Sequence, residues 1–70
     1  MNETYRLNIS ALAILSNGGK PSAVTIPIGA ILERLSEDNG LTTCAWEGRE
    51  VQLFSVDLQE RSVLVRGAAQ

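Results

Sequence analysis

Carboxylates are the groups in this chain best able to do chemistry, because it contains eight Asp or Glu and no His. Two carboxyl groups held close together can act as general acid and general base. The closest pairs in sequence are Glu37 with Asp38, Glu47 with Glu50, and Asp57 with Glu60. Each pair also has a structural explanation, since the first lies in a polar loop, the second flanks a hairpin turn and the third lies on a helical turn beside Arg61. We therefore predict no catalytic residue.

Nucleophiles, phosphate-binding loops and metal ligands are no better supported. Ser10, Ser22 and Ser55 have no His or Lys arranged around them to act as a base. Gly18-Gly19-Lys20 lacks the spacing of a P-loop and has no Ser or Thr directly after the lysine. The single Cys44 excludes an internal disulfide, and the absence of His removes the commonest zinc ligand. The sequence predicts no metal and no cofactor, and Cys44 is interpreted as a buried apolar residue.

A binding platform is the most specific functional interpretation of the residues. Trp46 is the only tryptophan and lies beside a predicted hairpin turn. Arg34 and Arg49 fall on strands predicted to lie around it, so an acidic peptide or a nucleotide could stack there. The alternative is that Trp46 covers the core or a subunit contact, and that the arginines pair with neighbouring glutamates across strands.

Length and charge limit the partners. Seventy residues form one domain with a small core, so association is the remaining way to stabilise it, and we expect a homo-oligomer or an unidentified protein partner. A net charge of -2, with scattered basic residues, argues against nucleic acid. The chain has neither the basic start of a signal peptide nor an apolar run of ~20 residues, so we expect no membrane contact and a cytoplasmic location.

The clearest structural signal is a hairpin. Leu41 to Trp46 and Arg49 to Phe54 are rich in strand-forming residues, and Glu47-Gly48 between them is typical of a two-residue turn. Alternation predicts a further strand over Tyr5 to Ile9, and a last strand is predicted over Ser62 to Arg66.

Other segments are less distinctive. Ala11 to Leu15 is continuously apolar and fits a strand or a short helix. Ala23 to Ile26 predicts a short strand that follows a loop through Lys20-Pro21-Ser22. Residues 28 to 37 have helical spacing, but we favour a strand, because Asp38-Asn39-Gly40 resembles a hairpin loop. Ser55 is expected to cap a single helical turn over Val56 to Glu60, with Asp57 paired to Arg61. We expect a frayed tail over 67–70.

Taken together, Ile26 to Val65 resembles the SH3-like barrel. The likeness rests on a Gly-initiated strand (GAILE), a polar loop, the tight hairpin over Glu47-Gly48, and a strand leading into one 3₁₀ turn (LFSVDL) before a short last strand. IPIGAIL followed by WEGREVQLFSVDLQER is similar to a group of short bacterial proteins without an assigned activity. SH3 domains grip proline-rich peptides with paired tryptophans, a proline and a tyrosine. Leu41 and Thr42 stand in place of the tryptophans, Ser55 in place of the proline and Leu58 in place of the tyrosine, so that function is not implied.

A narrower stretch is similar to the type II, plasmid-borne dihydrofolate reductases. Val51-Gln52-Leu53-Phe54 resembles the VQIY stretch of those SH3-like tetramers, in which residues lining a central pore hold NADPH and substrate. The resemblance implies pore-lining roles for Gln52, Leu53 and Phe54. The chain departs from that family at two of the four positions and lacks its preceding lysine-containing strand.

The sequence thus predicts an all-β protein, a small SH3-like barrel of about five strands with one short 3₁₀ turn near the C-terminus. It is expected to be a single domain, with its structured core over 4–66. The leading hypothesis for function is a non-enzymatic protein-interaction or self-association module. The alternative is an NADPH-dependent pore enzyme of the type II reductase kind.

Overall fold

The computed structural model describes residues 3–17 and 19–66, and these form an antiparallel β-sheet with one short helix. The elements in chain order are β1 (Thr4–Leu7), β2 (Ala11–Asn17), β3 (Lys20–Ile26), β4 (Ile31–Asp38), β5 (Leu41–Trp46), β6 (Arg49–Phe54), α1 (Ser55–Arg61) and β7 (Ser62–Arg66). The predicted all-β class is confirmed. Within the described ranges no helix is long and apolar enough to cross a membrane.

The strands form one sheet in the order β3-β2-β6-β5-β4-β1-β7. Every neighbouring pair is antiparallel. The prediction of a barrel of about five strands is wrong, because the sheet has seven strands and, over the residues described, no ladder joins its two end strands. β3 and β7 are therefore the edges of an open sheet.

The β2-β3 hairpin is longer than the sequence predicts, because the short strand predicted over Ala23 to Ile26 begins at Lys20. β2 and β3 pair along their whole length, from Ala11 opposite Ile26 to Asn17 opposite Lys20. Ala11 to Leu15 is thus strand rather than helix, and the loop predicted through Lys20-Pro21-Ser22 is wrong. Pro21 can lie in a strand here because β3 is at an edge, where one side of the backbone needs no hydrogen-bond donor.

The central hairpins follow the prediction. β5 and β6 have the predicted boundaries, and Trp46 lies opposite Arg49 across the turn. Both turn residues have positive φ, 51° at Glu47 and 77° at Gly48, as a type I′ turn requires. The preceding hairpin turns in the same way through Asn39 and Gly40, at 54° and 80°. The strand predicted for the segment before it is confirmed as β4, so the competing helix is wrong.

A substitution at Gly48 tests this turn. A Cβ added there would meet no atom within 4 Å, so the cost of Gly48→Ala is backbone strain alone. We expect the free energy of unfolding in urea to fall by about 1–2 kcal/mol, because an L-residue is strained in the left-handed region. Glu47→Asn is the matched control with the opposite expectation, since asparagine tolerates positive φ better than glutamate. Equal loss in both variants would contradict the assigned turn.

Aliphatic side chains fill most of the core. Its buried members are Leu7, Ala11, Ala13, Ile26, Leu32, Cys44, Val51, Leu53 and Leu58. Six strands and the helix contribute to this set, whereas the described side chains of β7 contribute none. The aromatic residues lie outside the buried core. Tyr5 and Trp46 are partly buried and pack against it, and Phe54 is exposed.

The helix differs from the predicted 3₁₀ turn. α1 is an α-helix of seven residues, long enough for the predicted Asp57–Arg61 pair to form at 3.8 Å. The expected cap is wrong, because Phe54 is the N-cap residue and makes no side-chain capping bond. Ser55 is the first helical residue instead. β1 ends at Leu7, two residues earlier than predicted, since the amides of Asn8 and Ile9 donate to the carbonyl of Arg61. The tail predicted for 67–70 lies outside the described residues.

Candidate functional site

A polar cleft of about 370 Å³ lies where β4, β5, α1 and β7 approach β1. Its lining residues are Tyr5, Arg34, Glu37, Thr42, Ser55, Leu58, Gln59, Ser62 and Leu64. Five of these side chains are uncharged hydrogen-bonding groups, two form a charged pair on β4 (Arg34 and Glu37), and Leu58 and Leu64 are apolar. Such a composition suits recognition of a polar group that also contacts apolar surface.

One ion pair lies in this cleft. An Arg34 guanidinium nitrogen donates to a Glu37 carboxylate oxygen at 3.2 Å, and both side chains are partly exposed. Glu37 also accepts a hydrogen bond from Ser55, and that bond together with Arg34 lowers the pKa of the Glu37 carboxyl below its ordinary value. Glu37 is therefore ionised at neutral pH, and the cleft presents one cation and one anion side by side.

Apart from Gln59, hydroxyl groups form the rest of the polar lining. The Thr42 and Ser55 hydroxyl oxygens are 2.7 Å apart and share a hydrogen bond. Thr42 is the one buried polar residue of the described chain, so this bond satisfies a group that would otherwise lose its contact with water. The Ser62 hydroxyl donates to the Leu58 carbonyl one helical turn earlier. Tyr5 donates to a Glu3 carboxylate oxygen at 2.7 Å, and this bond raises the pKa of Tyr5.

This arrangement suits binding rather than covalent chemistry. The Thr42 and Ser55 hydroxyls contact each other, and the carboxylate that Ser55 contacts is that of Glu37. Glu37 is held ionised by its donors, so its carboxylate is a weak base. Over the ranges described, no group of three or more acidic, cysteine or histidine side chains could hold a metal ion. We therefore interpret the cleft as a recognition surface.

The predicted binding platform is only partly assembled. Arg49 lies over the ring of Trp46, with its guanidinium carbon 5.2 Å from the ring centroid. Trp46 itself packs against the core, as the alternative explanation expects. Arg34 lies two strands away from Arg49, on the other side of β5, and pairs with Glu37 on its own strand. The structure thus joins Trp46 with Arg49 and assigns Arg34 to the polar cleft.

The three residues that resemble the reductase pore lining have side chains on alternate faces of β6. Leu53 points into the core and is 2% exposed, whereas Gln52 and Phe54 face outward. Gln52 lies opposite Ile14 on one neighbouring strand and opposite Thr43 on the other. A second, smaller cleft of about 100 Å³ lies on this outward side, lined by Leu12, Ala13, Ile14, Leu41, Gln52, Leu53, Phe54 and Asp57.

Sequence reasoning missed most of the polar cleft. Tyr5, Glu37, Thr42 and Ser55 come from four elements, and no local motif connects them. Only Thr42 carried a usable signal. It lies two residues before Cys44 and four before Trp46, so it shares their face of β5, which is the core side. A threonine at a core-facing position needs a hydrogen-bond partner.

Comparison with known proteins gives no relative, because no protein-family model, curated protein or solved structure matches the chain.

Proposed function

We propose that this chain is a small non-enzymatic association module that forms homo-oligomers. The supporting observation is the balance of apolar burial. Among the described residues, eleven large apolar side chains are exposed: Ile9, Leu12, Ile14, Ile28, Ile31, Leu35, Phe54, Val56, Val63, Leu64 and Val65. Only six of comparable size are buried in the core, namely Leu7, Ile26, Leu32, Val51, Leu53 and Leu58. Val63, Leu64 and Val65 are consecutive in β7, and Leu12, Ile14 and Phe54 line one cleft. Clustered exposed apolar side chains of this kind mark a contact with another molecule.

The small size of the domain also favours self-association. A 70-residue chain has a thin margin of stability from its core alone. A disulfide cannot add to it, because Cys44 is the only cysteine. Burial against a second copy would supply the missing apolar contacts at ~25 cal/mol for each Å² removed from water. A second copy is the partner we favour, because it needs no further chain to be present.

The order of the elements supports an SH3-like relationship for the proposed module. The three-strand meander β4-β5-β6 is followed by the short helix α1 and the short strand β7, which pairs with β1. That order is the one on which the sequence resemblance rests. Modules of this kind use their surfaces for recognition, and the polar cleft would then be the part of the surface that confers specificity.

Sedimentation velocity across a concentration series tests the proposal. We expect the weight-average mass to rise above 7.5 kDa as concentration increases from the low micromolar to the millimolar range. Raised salt should weaken the association little, because the exposed contacts are apolar. A single 7.5 kDa species at millimolar concentration would refute the proposal.

A second candidate function is that of an NADPH-dependent reductase, and one observation supports it. Gln52 and Phe54 face outward together on a cleft with mainly apolar walls, the kind of surface that could line a pore in a tetramer. Leu53 is buried in the chain's own core, so only two of the three residues named by the resemblance are available for such a pore. Oxidation of NADPH by dihydrofolate, measured with wild type and Gln52→Ala, tests this candidate. Activity that is lost in the variant would favour it over the non-enzymatic module.

A further inference from the structure

We infer that β7 is the surface through which two copies meet, by antiparallel pairing with β7 of the second copy centred on Leu64. This inference rests on the proposed self-association and names its geometry. In such a dimer the two seven-stranded sheets would join into one continuous sheet about a two-fold axis.

The two edges of the sheet differ in how they are protected. β3, at one edge, begins with Lys20 and Pro21, which are both exposed, and these residue types are the usual devices against edge-to-edge pairing. β7, at the other edge, pairs with β1 alone among the strands described. It has neither device between Ser62 and Val65. An unprotected apolar edge strand is a template for another strand, so the contact is expected at β7 rather than β3.

Exposure along β7 supports the same choice. Val63, Leu64 and Val65 are 38%, 52% and 45% exposed, on both faces of the strand. Strand alternation places Leu64 on one face and the two valines on the other. A further strand paired beside β7 would cover part of these side chains on both faces through its own cross-strand neighbours. Over the described residues β7 has such a neighbour on one side only.

The sequence of β7 is complementary to itself in one register. With Leu64 opposite Leu64 of the second copy, Val63 lies opposite Val65 and Ser62 opposite Arg66, so every apolar residue meets an apolar residue. Moving the centre by one residue places Leu64 opposite Ser62 or Arg66 instead. The Leu64-centred register also pairs residues of the same face, so the core sides of both sheets stay on one side of the joined sheet.

Charge does not oppose this register. The Arg66 positions of the two copies lie four residues apart along the joined strands, which is ~14 Å at the rise of an antiparallel strand. That separation exceeds the Debye length of ~8 Å at physiological ionic strength, so repulsion between these positions is screened. No acidic residue lies in β7 to require a different arrangement.

The pairing also brings the second copy beside the polar cleft. Ser62 and Leu64 belong both to β7 and to the cleft lining. A partner strand next to β7 therefore borders the cleft of each protomer. A strand of five residues spans only ~17 Å, so we expect a weak dimer that forms with increasing concentration.

Cysteine cross-linking tests the register directly. In Leu64→Cys the two new thiols would lie on directly opposed residues, with Cα atoms ~5 Å apart, inside the range that a disulfide spans. In Val63→Cys they would be offset by two residues, with Cα atoms ~8 Å apart, beyond that range. The native Cys44 is buried and does not compete. We expect covalent dimer from Leu64→Cys after mild oxidation, at least tenfold more than from Val63→Cys. Leu12→Cys, which is exposed on β2, controls for collision.

The possible outcomes distinguish pairing through β7 from the more general proposal of self-association. Equal cross-linking in all three variants, or more in Leu12→Cys, would overturn pairing through β7. Absence of cross-linking while the wild type sediments as an oligomer would also overturn it, and would leave self-association intact. A wild type that stays at 7.5 kDa at millimolar concentration would remove both. As a second measurement, Val65→Lys should shift sedimentation toward monomer, whereas Ile28→Lys, at an exposed turn residue, should not.

Discussion

Leu53→Ala is expected to lower the free energy of unfolding by about 2–5 kcal/mol, the largest effect of any change considered for this protein. Leu53 is 2% exposed and belongs to the core cluster that β6 shares with five other strands and the helix. Truncation removes its transfer free energy and leaves a cavity that a small sheet protein can only partly close. A 70-residue domain has a total stability of roughly 4–10 kcal/mol, so the variant should be marginally folded or unfolded at 25 °C.

The neighbouring position supplies the matched control. Phe54→Ala removes a larger side chain, but Phe54 is 59% exposed on the opposite face of the same strand. In dilute solution, below the concentrations of the proposed self-association, its effect on unfolding in urea should stay below about 1 kcal/mol. Leu53→Met, which conserves volume, should cost less than about 1.5 kcal/mol. Equal losses for Leu53→Ala and Phe54→Ala would mean that β6 presents the wrong face to the core.

The strands that sequence reasoning located correctly are those whose signal is local. β5, β6 and β7 have the predicted boundaries because turn residues with positive φ or a short helix delimit them within a few positions. The choice of strand over helix for β4 was correct for the same reason, since the Asn39-Gly40 turn fixes what precedes it. Alternation at the start of the chain gave β1 with an error of two residues at its end.

The errors arose where the outcome depends on distant parts of the chain. The tolerance of Pro21 within β3 follows from the position of that strand at the sheet edge, which no local window contains. The number of strands, and the absence of a ladder between the end strands described, depend on the same long-range pairing. α1 is anchored by Leu58, whose burial in the core is a contact with distant elements that no local window contains.

In the candidate site, too, local contacts could be predicted from the sequence and long-range contacts could not. Trp46 and Arg49 could be paired from the sequence, because two residues of turn place them opposite each other. The polar cleft could not, since Tyr5 and Ser62 approach only when β7 returns to pair with β1 across most of the chain. Arg34 was selected for a cation–π role and belongs instead with Glu37, because its strand lies on the other side of β5 from Arg49.

Alkaline pH should destabilise the fold through Cys44. Its thiol is fully buried, and burial raises its pKa from 9.0 to about 11, although the nearby charge of Arg34 opposes that rise. A raised pKa in the folded state means that the unfolded chain loses its proton first. The contribution of Cys44 to stability is therefore complete below pH 9.0 and is lost as pH rises through about 11. A shift of this size corresponds to about 2–3 kcal/mol, a large part of the stability of so small a domain.

We expect the free energy of unfolding in urea to be level from neutral pH to just below pH 9.0 and to fall by about 2–3 kcal/mol toward pH 11. Cys44→Ala is less stable overall, because it leaves a small cavity, but its profile should lose most of the slope. A residual decline at the highest pH values is expected from Tyr5, whose raised pKa acts in the same direction above 10.0. Tyr5→Phe in the Cys44→Ala background should remove that remainder. Rapid reaction of the native thiol with a disulfide reagent at neutral pH, faster than unfolding, would contradict the burial on which this expectation rests.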